Sequence, residues 1–276
     1  MRTVKGLYRA SRPVNVLIAV FSVLVAAMMT GSIRSYNPVF YACLSAAFLT
    51  AAANAINDYY DFEIDKINKP ERPIPSGLLA RQQIWWFAII CFMLGFLASC
   101  LINATTITLA LISVFLLYAY SAFFKRTVLW GNMLVSVMTG LAFVYGSAAV
   151  GKAIYGIIPA CFAFLMHFGR EIIKDMEDAK GDRAFHACTL PVRYGFRISR
   201  ILAISIFLVL LIATLVPYIL DIYGQWYLIL VIFLVHTVII YTIIVLWKKP
   251  NTQELGRLSV LLKADMLAGL LAIWMG

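Results

Sequence analysis

A chain of 276 residues that is 63% hydrophobic and only 13% charged, with a mean hydropathy of +0.89, lies outside the range of soluble globular domains. Its net charge of +10 would suit a nucleic-acid binder only on a soluble basic surface, and here the cations lie between long apolar runs. The composition predicts an all-α polytopic membrane protein with no nucleic-acid partner.

A membrane-spanning helix needs roughly 20 apolar residues, because the hydrocarbon core is about 30 Å thick and each residue rises about 1.5 Å. In chain order, runs at approximately 14–32, 38–57, 84–103, 105–123, 128–150, 154–173, 201–220, 225–247 and 258–275 predict nine transmembrane helices, or eight if one long run is misdivided. The third and fourth meet at Leu101-Ile102-Asn103-Ala104, where only Asn103 marks a turn. The first run reads straight on into further spans, so it is expected to be an uncleaved helix and not a signal peptide. Cys43, Cys91, Cys100, Cys161 and Cys188 show no metal-ligand spacing and read as packing residues without a disulfide role. His167, His186 and His236 are scattered singly, as core or interface histidines usually are.

With the N-terminus placed in the cytoplasm, 20 of the 23 Lys and Arg fall on that side. Only Arg34 and Lys152 lie outside, and Lys263 lies within the last span. This is the asymmetry of the positive-inside rule, and it predicts a multi-pass cell-membrane protein with a cytoplasmic N-terminus.

The acids are distributed quite differently. Ten of thirteen sit in two short segments at the ends of apolar runs: Asp58, Asp61, Glu63, Asp65 and Glu71, then Glu171, Asp175, Glu177, Asp178 and Asp182. Each acid would cost about 3 kcal/mol at mid-bilayer, so the clusters must face water, a cavity or cations. Each is followed by a Pro- and Gly-containing stretch predicted to break a helix, 72–77 and 189–195. The cytoplasmic connections alternate acidic, basic, acidic, basic. That alternation predicts one membrane domain over 1–276, built from pseudo-repeats at about 14–127 and 128–250 with a ninth helix at 257–276. Two four-helix units related by an axis along the membrane normal would bring both acidic ends together.

Asn57, Asp61 and Asp65 recur at i, i+4 and i+8, within about 80° of arc on a helix, and Asp175, Asp178 and Asp182 lie within about 60°. Stacked carboxylates resist ionising together unless a cation intervenes. Hard oxygen ligands suit Mg²⁺, which keeps several waters and bridges a few carboxylates to substrate phosphates. Two such stripes with Lys and Arg nearby read as a site for a diphosphate held through Mg²⁺. The plainer alternative is a pair of solvated helix ends whose acids pair with Lys66, Lys69, Lys174 or Arg183.

The pattern Asn57-x-x-x-Asp61-x-x-x-Asp65, then Arg72-Pro73-Ile74-Pro75-Ser76-Gly77, then Asp178-x-x-x-Asp182 resembles the UbiA superfamily of intramembrane prenyltransferases. The resemblance runs across most of the chain and includes Arg12-Pro13-x-Asn15, Tyr118-x-Tyr120-Ser121, Lys125-Arg126 and Asn132. Within the superfamily the first motif looks most like the archaeal geranylgeranylglyceryl-phosphate geranylgeranyltransferases and the chlorophyll synthases. The second motif, Arg170 to Asp178, and the Leu262-Lys263-x-Asp265-Met266 tail are similar to the archaeal-lipid branch. That branch usually carries a small residue where Asp265 stands.

The resemblance implies Mg-dependent transfer of a geranylgeranyl group from its diphosphate to the free hydroxyl of geranylgeranylglyceryl phosphate. Its partners would be a prenyl diphosphate donor, a lipid-phosphate acceptor and the bilayer, with no obligate protein partner implied. It implies that Asp61, Asp65, Asp178 and Asp182 hold Mg²⁺, with Asn57 and Asp175 completing or orienting the shell. Arg72 and Lys125 are the candidates for direct diphosphate contact, Arg126 less so. Tyr118, Tyr120 and Tyr145 are candidates to shield an allylic cation with their ring faces. The acceptor phosphate needs its own basic contact, and the sequence does not choose among Arg170, Lys174, Arg183 and Arg193. No general base is assigned. A tetrapyrrole or quinone-precursor acceptor, or a membrane cation transporter, remains the competing expectation.

Overall fold

A computed structural model describes residues 2–276. It is all-helical, with no strand among the described residues. In chain order the helices are α1 (Arg2–Ser11), α2 (Pro13–Met28), α3 (Tyr36–Tyr60), α4 (Phe62–Asn68), α5 (Arg81–Ser99), α6 (Ala104–Ala119) and α7 (Trp130–Ala149). They are followed by α8 (Ile157–Ala184), α9 (Leu190–Ala213), α10 (Val216–Ile219), α11 (Gln225–Leu230), α12 (Thr237–Trp247) and α13 (Thr252–Met275). Among the described residues eight segments are long and apolar enough to cross a membrane: 36–60, 81–99, 104–124, 130–149, 153–184, 190–219, 225–247 and 252–275. α1 and α2 qualify only as a pair bent by 46° at Arg12, whose φ is +50°.

Several boundaries differ from the sequence expectation, each for a local reason. The first apolar run ends as a helix at Met28, four residues early, in a turn carrying Gly31 at φ +61°. The third ends at Ser99, and Asn103 opens α6 as its N-cap. α8 runs on to Ala184, so the whole second acidic stripe lies on one continuous helix. The stretch 189–195 separates α8 from the long helical run that follows, as expected, but it carries a short helical opening of its own. Pro191 occupies the first turn of α9, where its missing N–H costs nothing. Gly195, at φ 84° and ψ 166°, then interrupts the helical backbone and divides α9 into a short first turn and a long helix, a conformation only glycine adopts freely.

Asn103 does double duty at the α5–α6 turn. Its carboxamide oxygen accepts from Thr106 N at 3.0 Å, and its Nδ2 donates to the Ala148 carbonyl on α7 at 2.9 Å. Asn103→Ala is expected to cost about 1–2 kcal/mol. Asn103→Asp, which keeps the cap and loses the cross-helix bond, should cost about half as much. Thermal unfolding in detergent would rank the two variants; a wild-type melting point in Asn103→Asp would dismiss the α7 contact, and equal melting points in the two variants would dismiss the cap.

Packing is built on small residues. α3 buries Ala42, Ala46, Ala52 and Ala55 in a core it shares with α5 and its neighbours, and Ser45 Oγ donates to the Gly95 carbonyl at 2.7 Å. A second core joins α8, α9, α12 and α13 around Ile172, Ile173, Phe207, Leu258 and Leu262. A third joins α2, α7, α11 and α13 around Ala26, Phe143, Tyr227 and Ile273. Large apolar side chains such as Phe115, Ile212 and Phe233 point outward, as they do on a surface wetted by lipid.

Candidate active site

Between these cores lies a cavity of about 500 Å³, walled by α2, α3, α7, α8 and α13. Its interior is lined by Ile18, Leu49, Val135, Met138, Ala142 and Tyr145, and its mouth by both acidic segments. Asn57, Asp61, Asp65, Asp175, Asp178 and Asp182 all face this one space, together with Arg72, Lys125 and Lys174. Tyr120 and Tyr145 line it too. Tyr118 does not: its hydroxyl shares a 2.9 Å hydrogen bond with that of Tyr60, and its ring packs edge-on against Tyr60 and Trp85. Arg183 and Arg193 are also absent from the wall.

The first stripe stays on one face although α3 stops at Tyr60. Asp61 N donates to the Asn57 carbonyl and Asp65 N to the Asp61 carbonyl, so the i to i+4 ladder carries across the break into α4. Asp61 and Asp65 are only 3% and 4% exposed. Asp65 takes Arg72 NH1 at 2.5 Å, and Asp61 takes the Lys125 ammonium, with Arg72 3.7 Å away. Lys125 Nζ also donates to Asn57 Oδ1 at 2.8 Å. Behind them Arg12 pairs with buried Asp58.

Lys125 is aimed by the end of α6. There the helix widens into a π turn, 120–124, and Lys125 N donates to the carbonyl of Tyr120 five residues back. Such turns are rare and recur at functional sites.

Burial and charge pull these groups in different directions. Burial alone would raise the Asp61 carboxyl, but Lys125 and Arg72 together hold it below the usual carboxylate range. Asp65 has burial and the neighbouring Asp61 charge against it, only partly offset by Arg72, and is pushed up to about 6. Arg72 is held firmly charged, because Asp58, Asp65 and Asp61 outweigh its burial. The same is true of Lys69, against Asp178 and Glu177.

The second stripe is docked on the first by Asn68. Its Nδ2 donates to the Asp178 carbonyl at 3.0 Å and its Oδ1 accepts from Gly181 N at 3.1 Å. Lys69 adds ion pairs to Glu177 at 2.5 Å and Asp178 at 3.4 Å. Asp182 accepts from Thr189 Oγ1 at 3.1 Å, and Asp175 from Asn132 Nδ2 at 2.7 Å.

The cavity also holds residues that the sequence reading passed over: His167, Glu171 and Lys263. Glu171 is buried and takes Lys174 through both oxygens, at 2.8 and 2.9 Å. Position 171 is one turn before Asp175, and that spacing was the available signal. His167 reads as a single polar residue inside a span, and Lys263 stood out only within the Leu262-Lys263-x-Asp265-Met266 tail, with no role attached to it.

Two acidic stripes and a set of cations around one membrane cavity form a polar mouth on an apolar chamber. The UbiA prenyltransferase family matches residues 16–262. The chain belongs to that family. As a UbiA prenyltransferase it is an enzyme and a multi-pass membrane protein. It is 38% identical over 269 residues to the digeranylgeranylglyceryl phosphate synthase of Methanothermobacter thermautotrophicus, covering 96% of this chain and 93% of that one. A solved structure described as giving structural and mechanistic insight into digeranylgeranylglyceryl phosphate synthase in membranes superposes with a TM-score of 0.78. It is 32% identical and covers 100% of this chain and 99% of that one. The UbiA homolog from Archaeoglobus fulgidus bound to GPP and Mg²⁺ shares the fold at a TM-score of 0.67, with 19% identity over 96% of this chain and 99% of that one.

Proposed function

We propose that this prenyltransferase moves a geranylgeranyl group from its diphosphate to the free hydroxyl of geranylgeranylglyceryl phosphate, with Mg²⁺, and so makes a diether membrane-lipid precursor. The observation that carries this is a single cavity with both carboxylate stripes at its mouth and an apolar interior behind them. The relative named digeranylgeranylglyceryl phosphate synthase, 38% identical over nearly the whole chain, supports the same acceptor.

The donor set fits Mg²⁺. It consists of oxygen ligands, and among the described residues no three Asp, Glu, His or Cys converge into a ready-made cage. That suits an ion which takes one or two carboxylates from protein and the rest from water and substrate phosphates. Asp61 and Asp65 on one side, and Asp178 and Asp182 on the other, would hold Mg²⁺ ions. When bound, the metal neutralises charge on the diphosphate as it leaves.

The chain's own groups do the remaining work. Arg72 and Lys125 exchange their present carboxylate partners for diphosphate oxygens, and Asn57 keeps the Lys125 ammonium aimed at the mouth. Asp175 and Lys174 border the place where the donor meets the acceptor. As the C1–O bond breaks its electron pair leaves with the diphosphate and positive charge spreads over the allylic carbons; the acceptor hydroxyl attacks C1 and its proton passes to the departing diphosphate. The apolar wall, with the faces of Tyr120 and Tyr145, keeps water from that cation. Tyr118 braces Tyr60 at the end of α3 and does not touch substrate.

In this reading α1 and α2 make the first of nine spans, and two four-helix units, 14–127 and 128–250, are closed by a ninth helix at 257–276. The N-terminus and the mouth lie on the cytoplasmic side, where 20 of the 23 Lys and Arg gather.

The test is purified protein in detergent with geranylgeranyl diphosphate, geranylgeranylglyceryl phosphate and Mg²⁺, followed by mass spectrometry for the doubly prenylated product. Product is expected with Mg²⁺ and is lost with EDTA and in Asp178→Asn. Slow diphosphate release without that product would reject the acceptor. No turnover of any prenyl diphosphate by folded protein would reject the reaction class.

A further inference from the structure

The two sides of the cavity are not balanced alike. At the first acidic stripe Arg12, Arg72 and Lys125 answer Asp58, Asp61 and Asp65, three cations to three carboxylates. Deeper along α8 the balance tips. Lys174 and Arg170 both lie on Glu171, Arg170 NH1 at 3.3 Å, and His167 Nε2 is 3.4 Å from the same oxygen. Lys263 reaches this wall from α13 and takes part in none of these bonds. It shares this stretch of wall with Arg12, Arg170 and Lys174 as well as Glu171. The placement is fixed: Arg170 Nε donates at 2.9 Å to the Ser259 carbonyl, one turn before Lys263. Even with Asp175 counted, which is turned towards Asn132, three cations meet two carboxylates.

Excess positive charge in a wall surrounded by lipid is costly unless an anion completes it. We infer that Lys263, with Arg170 and Lys174, forms a subsite for the phosphomonoester of the lipid acceptor, separate from the acid-lined mouth that takes the donor's diphosphate. This rests on the prenyl-transfer reading above and adds the group by which the acceptor is recognised. A phosphomonoester carries about −1.5 to −2 at neutral pH and offers three acceptor oxygens, matching one free ammonium beside two partly engaged cations. Arg183 and Arg193, outside the cavity wall, take no part. The subsite also orients the acceptor, because a phosphate held on α8 and α13 leaves its one lipid chain to the apolar interior and its free hydroxyl towards Asp175.

The experiment measures binding of geranylgeranylglyceryl phosphate, of its dephosphorylated alcohol and of inorganic phosphate to the full chain in detergent, without donor or Mg²⁺. The wild-type protein should hold the phosphorylated lipid about 10- to 100-fold tighter than the alcohol. Inorganic phosphate should compete only weakly. Lys263→Met, which keeps the apolar stem, should remove about tenfold of that preference, and Lys263→Arg should restore most of it. Neither variant should change affinity for the alcohol or KM for the prenyl diphosphate. A wild-type protein that binds lipid and alcohol equally would overturn the subsite without recourse to any variant. So would a preference that survives Lys263→Met. If the preference depends on Lys263 but no doubly prenylated product forms, the subsite stands and the transfer reading fails. Product without any phosphate preference means the converse.

Discussion

Asp61→Asn protein should stay folded and lose about 10²- to 10³-fold in kcat, the usual cost of deleting one group that stabilises charge at a reacting centre. The substitution keeps the side chain's shape and removes only its charge. Two things then fail together: an oxygen ligand at the mouth is weakened, and the Lys125 ammonium loses its carboxylate, keeping only Asn57 Oδ1 at 2.8 Å. Lys125 is about 30% exposed and can turn to water, so the stability cost should stop at about 1–2 kcal/mol. Asp58→Asn is the informative partner. Asp58 is just as buried, but it holds Arg12 from behind and does not line the cavity. That variant should lose stability and keep kcat within about tenfold of wild type. Matching kcat losses in the two variants, or Asp61→Asn retaining a tenth of its activity, would sink the assignment of Asp61 to the reacting centre.

The second large effect is a packing failure far from the acids. At Gly146 α7 crosses α2 so closely that a Cβ would strike the Val23 carbonyl oxygen and lie 2.8 Å from its Cα. Backbone cannot swing aside as a long side chain can, so the helices themselves would have to part. Gly146→Val should cost about 3 kcal/mol or more, at the top of the overpacking range, and Gly146→Ala somewhat less. Activity should fall with stability, because α2 brings Asn15, Ile18 and Ser22 to the cavity wall and α7 brings Asn132 and Val135. Gly269, on α13, has open space where a Cβ would go, and Gly269→Ala should be neutral or stabilising by up to about 1 kcal/mol. Thermal unfolding in detergent separates the cases; an unchanged melting point in Gly146→Val would mean the crossing is looser than drawn.

How much of this could be read beforehand depended on where each residue's partner lies. Asn57, Asp61 and Asp65 were legible because carboxylates at helical spacing interrupt an apolar run, and the ladder through Asp61 preserves that spacing. The break after Tyr60 was not legible, since nothing at Asp61 or Phe62 is a helix breaker. Pro191 and Gly195 both read as punctuation. Gly195 does interrupt the helical backbone, but proline fits a first turn, so α9 opens eleven residues before the expected 201. Tyr118 and Tyr120 lie two residues apart, about 200° around a helix, so they face opposite ways; which of the two meets the cavity is set by how α6 packs, and it is Tyr120. His167 and Lys263 meet across 96 positions in a wall built by α8 and α13, a juxtaposition no local pattern encodes.

The ion pairs at the mouth bear on how the protein is made. Arg12 with Asp58, Arg72 with Asp65 and Lys125 with Asp61 all join residues from the first 125 of the chain. Glu171, Arg170 and Lys174 settle among themselves within five positions of one helix. Among the described residues only Lys69, with Glu177 and Asp178, forms an ion pair across the middle. Synthesis runs from the N-terminus, so each buried acid of the first segment can meet its counter-ion before α8 has left the ribosome. A nascent chain halted after residue 127 therefore carries no uncompensated carboxylate among these three into the bilayer, and the later half docks onto a partner whose charges are already settled.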